Sequence, residues 1–350
     1  MKPIAYVFLL LFVCLNAYGQ RSAKQLKTIA GSKVKTKALN ARIAHLMDSL
    51  QMPGLSIAMI NDGAVVYHEV FGVQNIETEA PVAKSSIFEG ASLSKPIFAY
   101  FAMKMVDQGL LDLDKPLYEY LPHPAIDSAS AEDYKLLTAR MVLSHSSGFP
   151  NFSHGKPIKL AFKPGTDFSY SGEAYQYLAA IIGMLNGVGW RNKFNQIFES
   201  AVTEPLAMEH TSFLWNDHLA AHKVYGHKDD KPTDNHTGGW SGETFNAFSS
   251  IHSEALEYSQ FILAMLAGEG LSEASFAAML APENQFKASS ELYQETGQTA
   301  WGLGFAQKPT PHGLMHLHTG NNHDFQAYSM FIPEQNYGLV LFTNSDKMLA

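Results

Sequence analysis

The stretch Ser92-Leu93-Ser94-Lys95-Pro96 lies where the sequence changes from strand-like to helix-like character. A serine and a lysine three positions apart lie on one face of a helix, so the Ser92 hydroxyl and the Lys95 ammonium can meet. Pro96 is tolerated only in the first turn of a helix, which predicts that the helix begins close to Ser92. The free N–H groups and the dipole of such a helix start stabilise negative charge. The spacing alone is weak, because a serine near a helix start with an exposed lysine is common.

Before Ser92 the pattern predicts a helix followed by a β-hairpin. Apolar residues recur at helical spacing over residues 38–50, and Pro53-Gly54 interrupts that pattern. Residues 55–60 and 64–71 have the apolar character of strands. Asn61-Asp62-Gly63 lies between them, and an Asp-Gly pair at such a place indicates a tight hairpin turn.

After Ser92 the sequence is mainly helical, and strand character returns near the C-terminus. The predicted helices are residues 98–108, a helix capped by Thr138, and residues 174–185, 192–199 and 253–266; the predicted strands are residues 314–318, 325–332 and 337–343. This order predicts an α+β fold, in which both chain ends build one antiparallel sheet with flanking helices and a helical lobe is inserted between them. We predict a single domain over residues 38–350. Its α/β lobe comprises about residues 38–91 and 296–350, its helical lobe about residues 92–295, and the cleft between them is a common place for a ligand.

The N-terminus has the pattern of an export signal. An apolar run at residues 4–15 is followed by Ala17-Tyr18-Gly19, whose small residues predict a signal peptide over residues 1–19. The run is too short for a comfortable transmembrane helix. We therefore expect a periplasmic or secreted bacterial protein without stable membrane insertion after cleavage. Residues 20–37 are polar and are predicted to form a tether.

Composition and residue counts exclude several classes of protein. The formal net charge of −8 and the scattered lysines and arginines provide no basic surface for nucleic acid. The one cysteine, Cys14, lies in the predicted signal peptide, so a thiol nucleophile, a thiolate metal site and a disulfide scaffold are excluded from the mature chain. The closely spaced histidines are His218 with His222, and His312 with His316 and His318. No H-E-x-x-H pattern accompanies them, so we predict hydrogen-bonded or solvated histidines, no metal site and no cofactor.

Two further segments strengthen the interpretation of Ser92 as a nucleophile. Tyr170-Ser171-Gly172 and His318-Thr319-Gly320 follow Ser92-x-x-Lys95 in the order of an S-x-x-K motif, a second polar triplet and a K-T-G-like triplet. With them, the sequence resembles the serine β-lactamase and penicillin-binding-protein superfamily: class C β-lactamases, DD-peptidases and β-lactamase-like carboxylesterases. Residues 143–150 (LSHSSGFP) and 301–304 (WGLG) are similar to further signatures of these proteins.

The resemblance implies a role for each matching residue. Ser92 is the nucleophile that becomes acylated, and Lys95 and Tyr170 share the removal and return of its proton. The backbone N–H groups of Ser92 and Asn321 form the oxyanion hole. His318, Thr319, Gly320 and Gly172 line the substrate site. A tyrosine has an unperturbed pKa of about 10, so we expect the charge of Lys95 to lower the pKa of Tyr170.

Two residues depart from the superfamily pattern. Gly172 stands where many relatives have asparagine, and His318 replaces the lysine of the last triplet. With an unperturbed pKa of about 6.5, His318 is expected to be partly charged at neutral pH and to make substrate binding pH-dependent. Both departures favour an esterase or DD-peptidase over an efficient β-lactamase. Relatives also carry a C-terminal helix over one sheet face, so we expect the sequence to be shortened beyond Ala350.

Other readings remain open. No G-x-S-x-G motif of an α/β-hydrolase is present. A non-catalytic sensor or scaffold of the same fold, which binds a β-lactam or a peptidoglycan fragment, is the main alternative. His145 is expected to be structural, and His323 and Asp324 are candidates for substrate contact. Whether the substrate is an ester, a D-amino-acid peptide or a lactam is not determined by the sequence.

Overall fold

Strands from both ends of the chain form one antiparallel sheet in the computed structural model, which describes residues 23–189, 192–233 and 244–348. The strands are β1 Gln25–Lys27, β2 Lys33–Lys35, β3 Gly54–Asn61, β4 Ala64–Asn75, β5 Ala80–Pro81, β6 Phe88–Ala91, β7 His227–Lys228, β8 Lys231–Pro232, β9 Ile251–Ser253, β10 Asn284–Gln285, β11 Ala300–Trp301, β12 Ala306–Thr310, β13 Gly313–Asn321, β14 Gln326–Ile332 and β15 Tyr337–Thr343. Nine of them pair in the order β10-β11-β12-β13-β14-β15-β3-β4-β5. Strand β15, the last in the chain, therefore pairs with β3, the first strand of this sheet in chain order, and Gly338 lies opposite Ile60.

The helices are α1 Thr36–Leu50, α2 Ser94–Asp107, α3 Ala131–Tyr134, α4 Ala139–Leu143, α5 Gly172–Leu185, α6 Asn192–Phe198, α7 Asp217–His222, α8 Ala255–Ala267, α9 Glu273–Leu280 and α10 Glu291–Thr296. Helix α8 packs on β3 and β15, and α2 packs on α5 and α9. Residues on every side of α2 are buried, among them Phe98 and Phe101. A helix that is apolar all round belongs in a protein interior, so α2 holds the Ser92–Lys95 segment in the middle of the molecule.

Local sequence signals set several element boundaries as predicted. Asp62 and Gly63 both have positive φ, 49° and 74°, as a type I′ hairpin turn requires. The Thr138 side chain accepts a hydrogen bond from the Met141 N–H and caps α4. Helix α2 begins at Ser94, so the start close to Ser92 that Pro96 predicted is confirmed, and the apolar run from residue 98 marks only the later part of the helix.

The predicted tether differs from the structure. From Ala23 onward it contains the hairpin β1–β2, and α1 begins at Thr36. Leu26 is buried with Ile43 and Met47 of α1 against the outer face of β3 and β4. A single apolar residue in a polar segment is enough to anchor a short hairpin on a sheet. The predicted signal peptide and residues 20–22 lie outside the described residues.

No helix within the described ranges is long and apolar enough to span a membrane.

Candidate active site

Ser92 and Lys95 are brought together by the turn between β6 and α2. Lys95 Nζ donates a hydrogen bond to Ser92 Oγ at 3.0 Å and another to the carbonyl oxygen of Phe248 at 2.9 Å. Lys95 is 1% exposed, and no carboxylate in the parts of the chain that the structure describes lies within ion-pair distance of it. Burial therefore holds the pKa of Lys95 well below its usual value. A lysine of this kind can be neutral and can accept a proton.

The second serine of the motif fixes this turn. Ser94 Oγ donates to the Ala91 carbonyl oxygen at 2.6 Å and accepts from the Ile251 N–H at 3.0 Å. Ala91 has a positive φ of 48°, which is uncommon for a residue with a Cβ atom. Strand β9, which pairs with β6, therefore holds the chain in an unusual conformation just before Ser92.

Tyr170 lies beside this pair. Lys95 Nζ is 4.5 Å from the centre of the Tyr170 ring. Burial raises the pKa of Tyr170 above its ordinary value, and its hydrogen bond with Ser92 lowers that pKa only in part. The expectation of a lowered pKa for Tyr170 is therefore not met, because the desolvation of a buried phenolate outweighs the stabilisation by its hydrogen bond. The geometry makes Tyr170 a neutral hydroxyl that can relay a proton.

His145 positions the Tyr170 segment. Its ring centre is 4.3 Å from that of Tyr170, and its Nδ1 accepts a hydrogen bond from the Ser171 N–H at 3.1 Å. Nδ1 must then lack a proton, so Nε2 carries it. Burial and the charge of Lys95 hold the pKa of His145 well below its usual value. These contacts agree with a structural role for His145.

Gly172 begins α5 and faces Phe248. A Cβ atom at Gly172 would lie 2.8 Å from Phe248 Cδ2, and Asn151 Oδ1 accepts a hydrogen bond from the Gly172 N–H at 2.9 Å. The Phe248 ring thus occupies space that a side chain at position 172 would need. The Phe248 carbonyl supplies an acceptor for Lys95, a role that no sequence signal could predict because any residue offers a carbonyl.

The last triplet lies on β13, next to β6. A Cβ atom at Gly320 would be 2.2 Å from the Gly90 carbonyl oxygen, so only glycine permits this close approach of the two strands. Thr319 is exposed and His318 is buried. Asn321 ends β13, so its backbone and that of Ser92 lie at the junction of β13 with β6.

His318 is uncharged. Its Nδ1 lies 2.7 Å from the Thr319 carbonyl oxygen, which requires a proton on Nδ1 and leaves Nε2 as an acceptor. Burial, followed by repulsion from Lys95, lowers the pKa of His318 to about 3. The expectation of a partly charged His318 that makes binding pH-dependent near neutrality is therefore wrong, because the unperturbed pKa ignores desolvation.

A buried ion pair beneath the junction was missed by sequence reasoning. Lys223 Nζ and Glu89 Oε1 are 2.9 Å apart, and Asn322 Nδ2 donates to the other oxygen of Glu89 at 2.6 Å. Both charged side chains are almost fully buried. Burial alone would raise the pKa of Glu89, but Lys223 and its other partners lower it. The one sequence feature that could have indicated this ion pair is the position of Glu89, three residues before Ser92.

His323 and Asp324 have different surroundings. Asp324 is buried, and its Oδ2 accepts a hydrogen bond from Thr233 Oγ1 at 2.6 Å. That contact ties one carboxylate oxygen of Asp324 to Thr233 within the protein. His323 lines a cavity that also includes Phe248. No group of three or more histidine, cysteine, aspartate or glutamate side chains suited to a metal ion occurs in the described ranges.

Comparisons with known proteins agree with this geometry. The model of the Beta-lactamase family matches residues 39–349, so the chain belongs to that family and has its serine hydrolase fold. Protein flp of Staphylococcus aureus is 21% identical over 320 residues, covering 86% of this chain and 61% of its own length. This chain thus spans about three fifths of that relative.

Two solved structures share the fold. One is the octameric penicillin-binding protein homologue from Pyrococcus abyssi, with a TM-score of 0.74, 21% identity, and 90% of this chain and 74% of the other covered. The other is the D-alanine carboxypeptidase AmpC from Burkholderia cenocepacia, with a TM-score of 0.72, 21% identity, and 88% and 93% covered. The predicted superfamily and α+β fold are confirmed.

Proposed function

We propose that this protein hydrolyses neutral carboxylic esters through an acyl-enzyme on Ser92. The observation that carries the proposal is the neutral, buried His318 on β13. D-alanyl peptides and β-lactams bear a carboxylate near the bond that is cleaved, and a buried carboxylate needs a cation. An ester has no such requirement. Lys95 cannot supply the cation while it serves as a base for Ser92.

The first half of the reaction forms the acyl-enzyme. Neutral Lys95 Nζ takes the proton of Ser92 Oγ, which is 3.0 Å away. Ser92 Oγ then forms a bond to the ester carbonyl carbon, and the carbonyl oxygen becomes an oxyanion. The backbone N–H groups of Ser92 and Asn321 are the donors proposed for that oxyanion.

The second half releases the products. The C–O bond to the alcohol breaks, and the alcohol oxygen takes a proton from the Lys95 ammonium, with the Tyr170 hydroxyl as relay. Water then attacks the acyl carbon and gives its proton to Lys95. When the bond to Ser92 Oγ breaks, that proton returns to Ser92 and the carboxylic acid leaves. Each proton removed is returned, so no cofactor is needed.

A substrate panel with intact-protein mass spectrometry tests the proposal. Wild type and Ser92→Ala are compared on p-nitrophenyl acetate, a D-alanyl-D-alanine peptide and a penicillin. The proposal expects ester turnover that Ser92→Ala abolishes and little D-alanine release. A lasting penicillin adduct on Ser92 without ester turnover would instead establish the non-catalytic sensor. D-alanine release as the fastest reaction would make the protein a peptidase, like the structurally similar D-alanine carboxypeptidase from Burkholderia cenocepacia.

A further inference from the structure

A cavity of about 1170 Å³ adjoins the Ser92 site on the side of Phe248. Its walls include Leu121, Phe152, Tyr177, Ala180 and Phe248, and they are mostly apolar. Drug-sized ligands occupy pockets of roughly 300–1000 Å³, so the space is sufficient for a substantial group.

Phe248 joins this cavity to the reacting atoms. Its carbonyl oxygen accepts the hydrogen bond from Lys95, and its ring centre is 5.5 Å from Lys95 Nζ. The Phe152 ring meets the Phe248 ring edge-on at 5.6 Å. A group bound along these rings is therefore within reach of an ester carbonyl held at Ser92.

Several polar groups in the walls are already hydrogen-bonded within the protein. Gln176 donates to the Phe245 carbonyl oxygen and accepts from the Ala247 N–H. The Tyr177 hydroxyl donates to the Leu121 carbonyl oxygen. Asn246 Oδ1 accepts from the Phe248 N–H. Since these groups gain little from a polar ligand, the cavity favours an apolar one.

The proposed reaction directs the acyl side of the ester toward this cavity. In the proposed reaction the leaving alcohol takes its proton at Tyr170, which is not one of the cavity-lining residues. The opposite substituent of the ester carbonyl then points toward Phe248. Glu173 also lines the cavity and accepts a hydrogen bond from the Ser153 N–H, which places a carboxylate where an anionic chain would be repelled.

We propose that this cavity binds a medium-length, uncharged apolar acyl chain, so that the substrates are hydrophobic acyl esters. This inference rests on the proposed esterase function. Each buried CH₂ group strengthens binding, so longer acyl chains are favoured until the cavity is filled.

The test is an acyl-chain series with a constant leaving group. For p-nitrophenyl acetate, butyrate and octanoate we expect kcat/KM to rise at least tenfold from acetate to octanoate. Ala180→Trp, which fills the cavity from α5, should reduce the octanoate-to-acetate ratio by about tenfold. Met184→Trp is the matched control, because Met184 lies one turn further on the same helix and is 40% exposed; its ratio should equal that of wild type.

A binding measurement separates this inference from the proposed function. Calorimetry of octanamide and acetamide with Ser92→Ala requires no turnover, and octanamide should bind at least tenfold more tightly, with the advantage lost in the Ser92→Ala/Ala180→Trp variant. Equal binding of the two amides, or a rate that depends on the alcohol chain and not on the acyl chain, overturns the inference. Failure of every ester to react while octanamide still binds overturns only the esterase proposal.

Discussion

Two buried nitrogen bases, Lys95 and His318, set the charge of the site. Each lies in an environment that disfavours its cationic form, and burial is the main cause in both cases. A neutral lysine beside Ser92 is a base, whereas a neutral histidine on β13 is only a hydrogen-bonding group. In the proposed reaction, the same physical cause thus prepares Ser92 for attack and removes the cation that an anionic substrate needs.

Replacing Lys95 with arginine is predicted to remove the base while keeping its positive charge. Arginine stays protonated in proteins and cannot accept the Ser92 proton. We expect Lys95→Arg to lower kcat/KM by about 10³-fold, within the range for loss of a general base. In wild type, kcat/KM should rise with pH as Lys95 deprotonates, with a midpoint below the ordinary lysine pKa. An arginine variant of near wild-type activity would contradict the role of Lys95.

The protonation of His318 is predicted to have no effect on the reaction rate between pH 5 and pH 9. Its pKa is lowered to about 3, so it stays neutral throughout that range. Asparagine can place an amide N–H near the position of Nδ1, so His318→Asn should keep the contact with the Thr319 carbonyl oxygen. The pH–rate profiles of wild type and His318→Asn should have the same shape. A limb near pH 6 that disappears in the variant would show that His318 titrates after all.

Gly172→Ala is predicted to disturb Phe248 and, through its carbonyl, Lys95. The added Cβ atom would lie 2.8 Å from Phe248 Cδ2, so the ring must shift. Overpacking of this kind destabilises a protein by about 1–3 kcal/mol. Gly189→Ala is the control, because nothing lies within 4 Å of a Cβ atom there. Urea unfolding should show a lower free energy of unfolding for Gly172→Ala, and adding Phe248→Leu should partly restore it. Gly189→Ala should show no comparable decrease.

At the scale of elements, the site depends on the contact of β6 with β13. Gly320 lets β13 approach the Gly90 carbonyl oxygen of β6, and the Glu89–Lys223 pair with Asn322 ties the turn after β13 to β6. Neither strand alone contains the site. Ser92 follows β6 and Asn321 ends β13. The buried Glu89–Lys223 pair holds these two positions together.

Breaking this ion pair is predicted to be strongly destabilising. Glu89→Gln leaves the Lys223 ammonium buried without this carboxylate, and removing one partner of a buried pair costs about 3–5 kcal/mol. Asp62→Asn breaks an exposed pair with Lys27 and should change the free energy of unfolding by less than about 1 kcal/mol. Glu89→Gln with Lys223→Met should be less destabilising than the sum of the two single changes. If the decreases in the free energy of unfolding are additive, Glu89 and Lys223 are not energetically coupled.

At the scale of the whole molecule, neutral buried histidines make the fold sensitive to acid. Burial lowers the pKa of His252 and of His316 to about 4, and that of His318 to about 3. The unfolded chain binds protons to these side chains at a pKa near 6.5, whereas the folded chain does not. Their contribution to stability is therefore complete above about pH 6.5 and is lost as the pH falls toward the folded values.

Lowering the pH from 7.5 to 5.0 is predicted to reduce the free energy of unfolding by about 2 kcal/mol for each such histidine. Urea unfolding at the two pH values measures this loss. His316 stacks on Phe331 away from Ser92, and His316→Leu removes its titration. The difference between the two pH values should shrink by about 2 kcal/mol in this variant. An unchanged difference would show that His316 is protonated in the folded protein.

The sequence by itself determined the hairpin at residues 61–63, the cap at Thr138, the two-ended antiparallel sheet and the order of the three motifs. These features follow from local rules: turn residues that accept positive φ, side chains that satisfy a helix end, and apolar periodicity. Ser92 and Lys95 were also identified in this way, because spacing on one helix face is a local property, whereas Tyr170 was identified through the resemblance to the superfamily.

Only the tertiary structure decided the charge states and the partners. The neutral His318, the raised pKa of Tyr170, the Phe248 carbonyl on Lys95 and the Glu89–Lys223 pair all depend on which distant segments exclude water from a side chain. Desolvation and long-range contacts have no periodic signature in a sequence. For that reason the sequence located Ser92 and its motif, whereas folding decided the protonation of the surrounding groups, on which the proposed function rests.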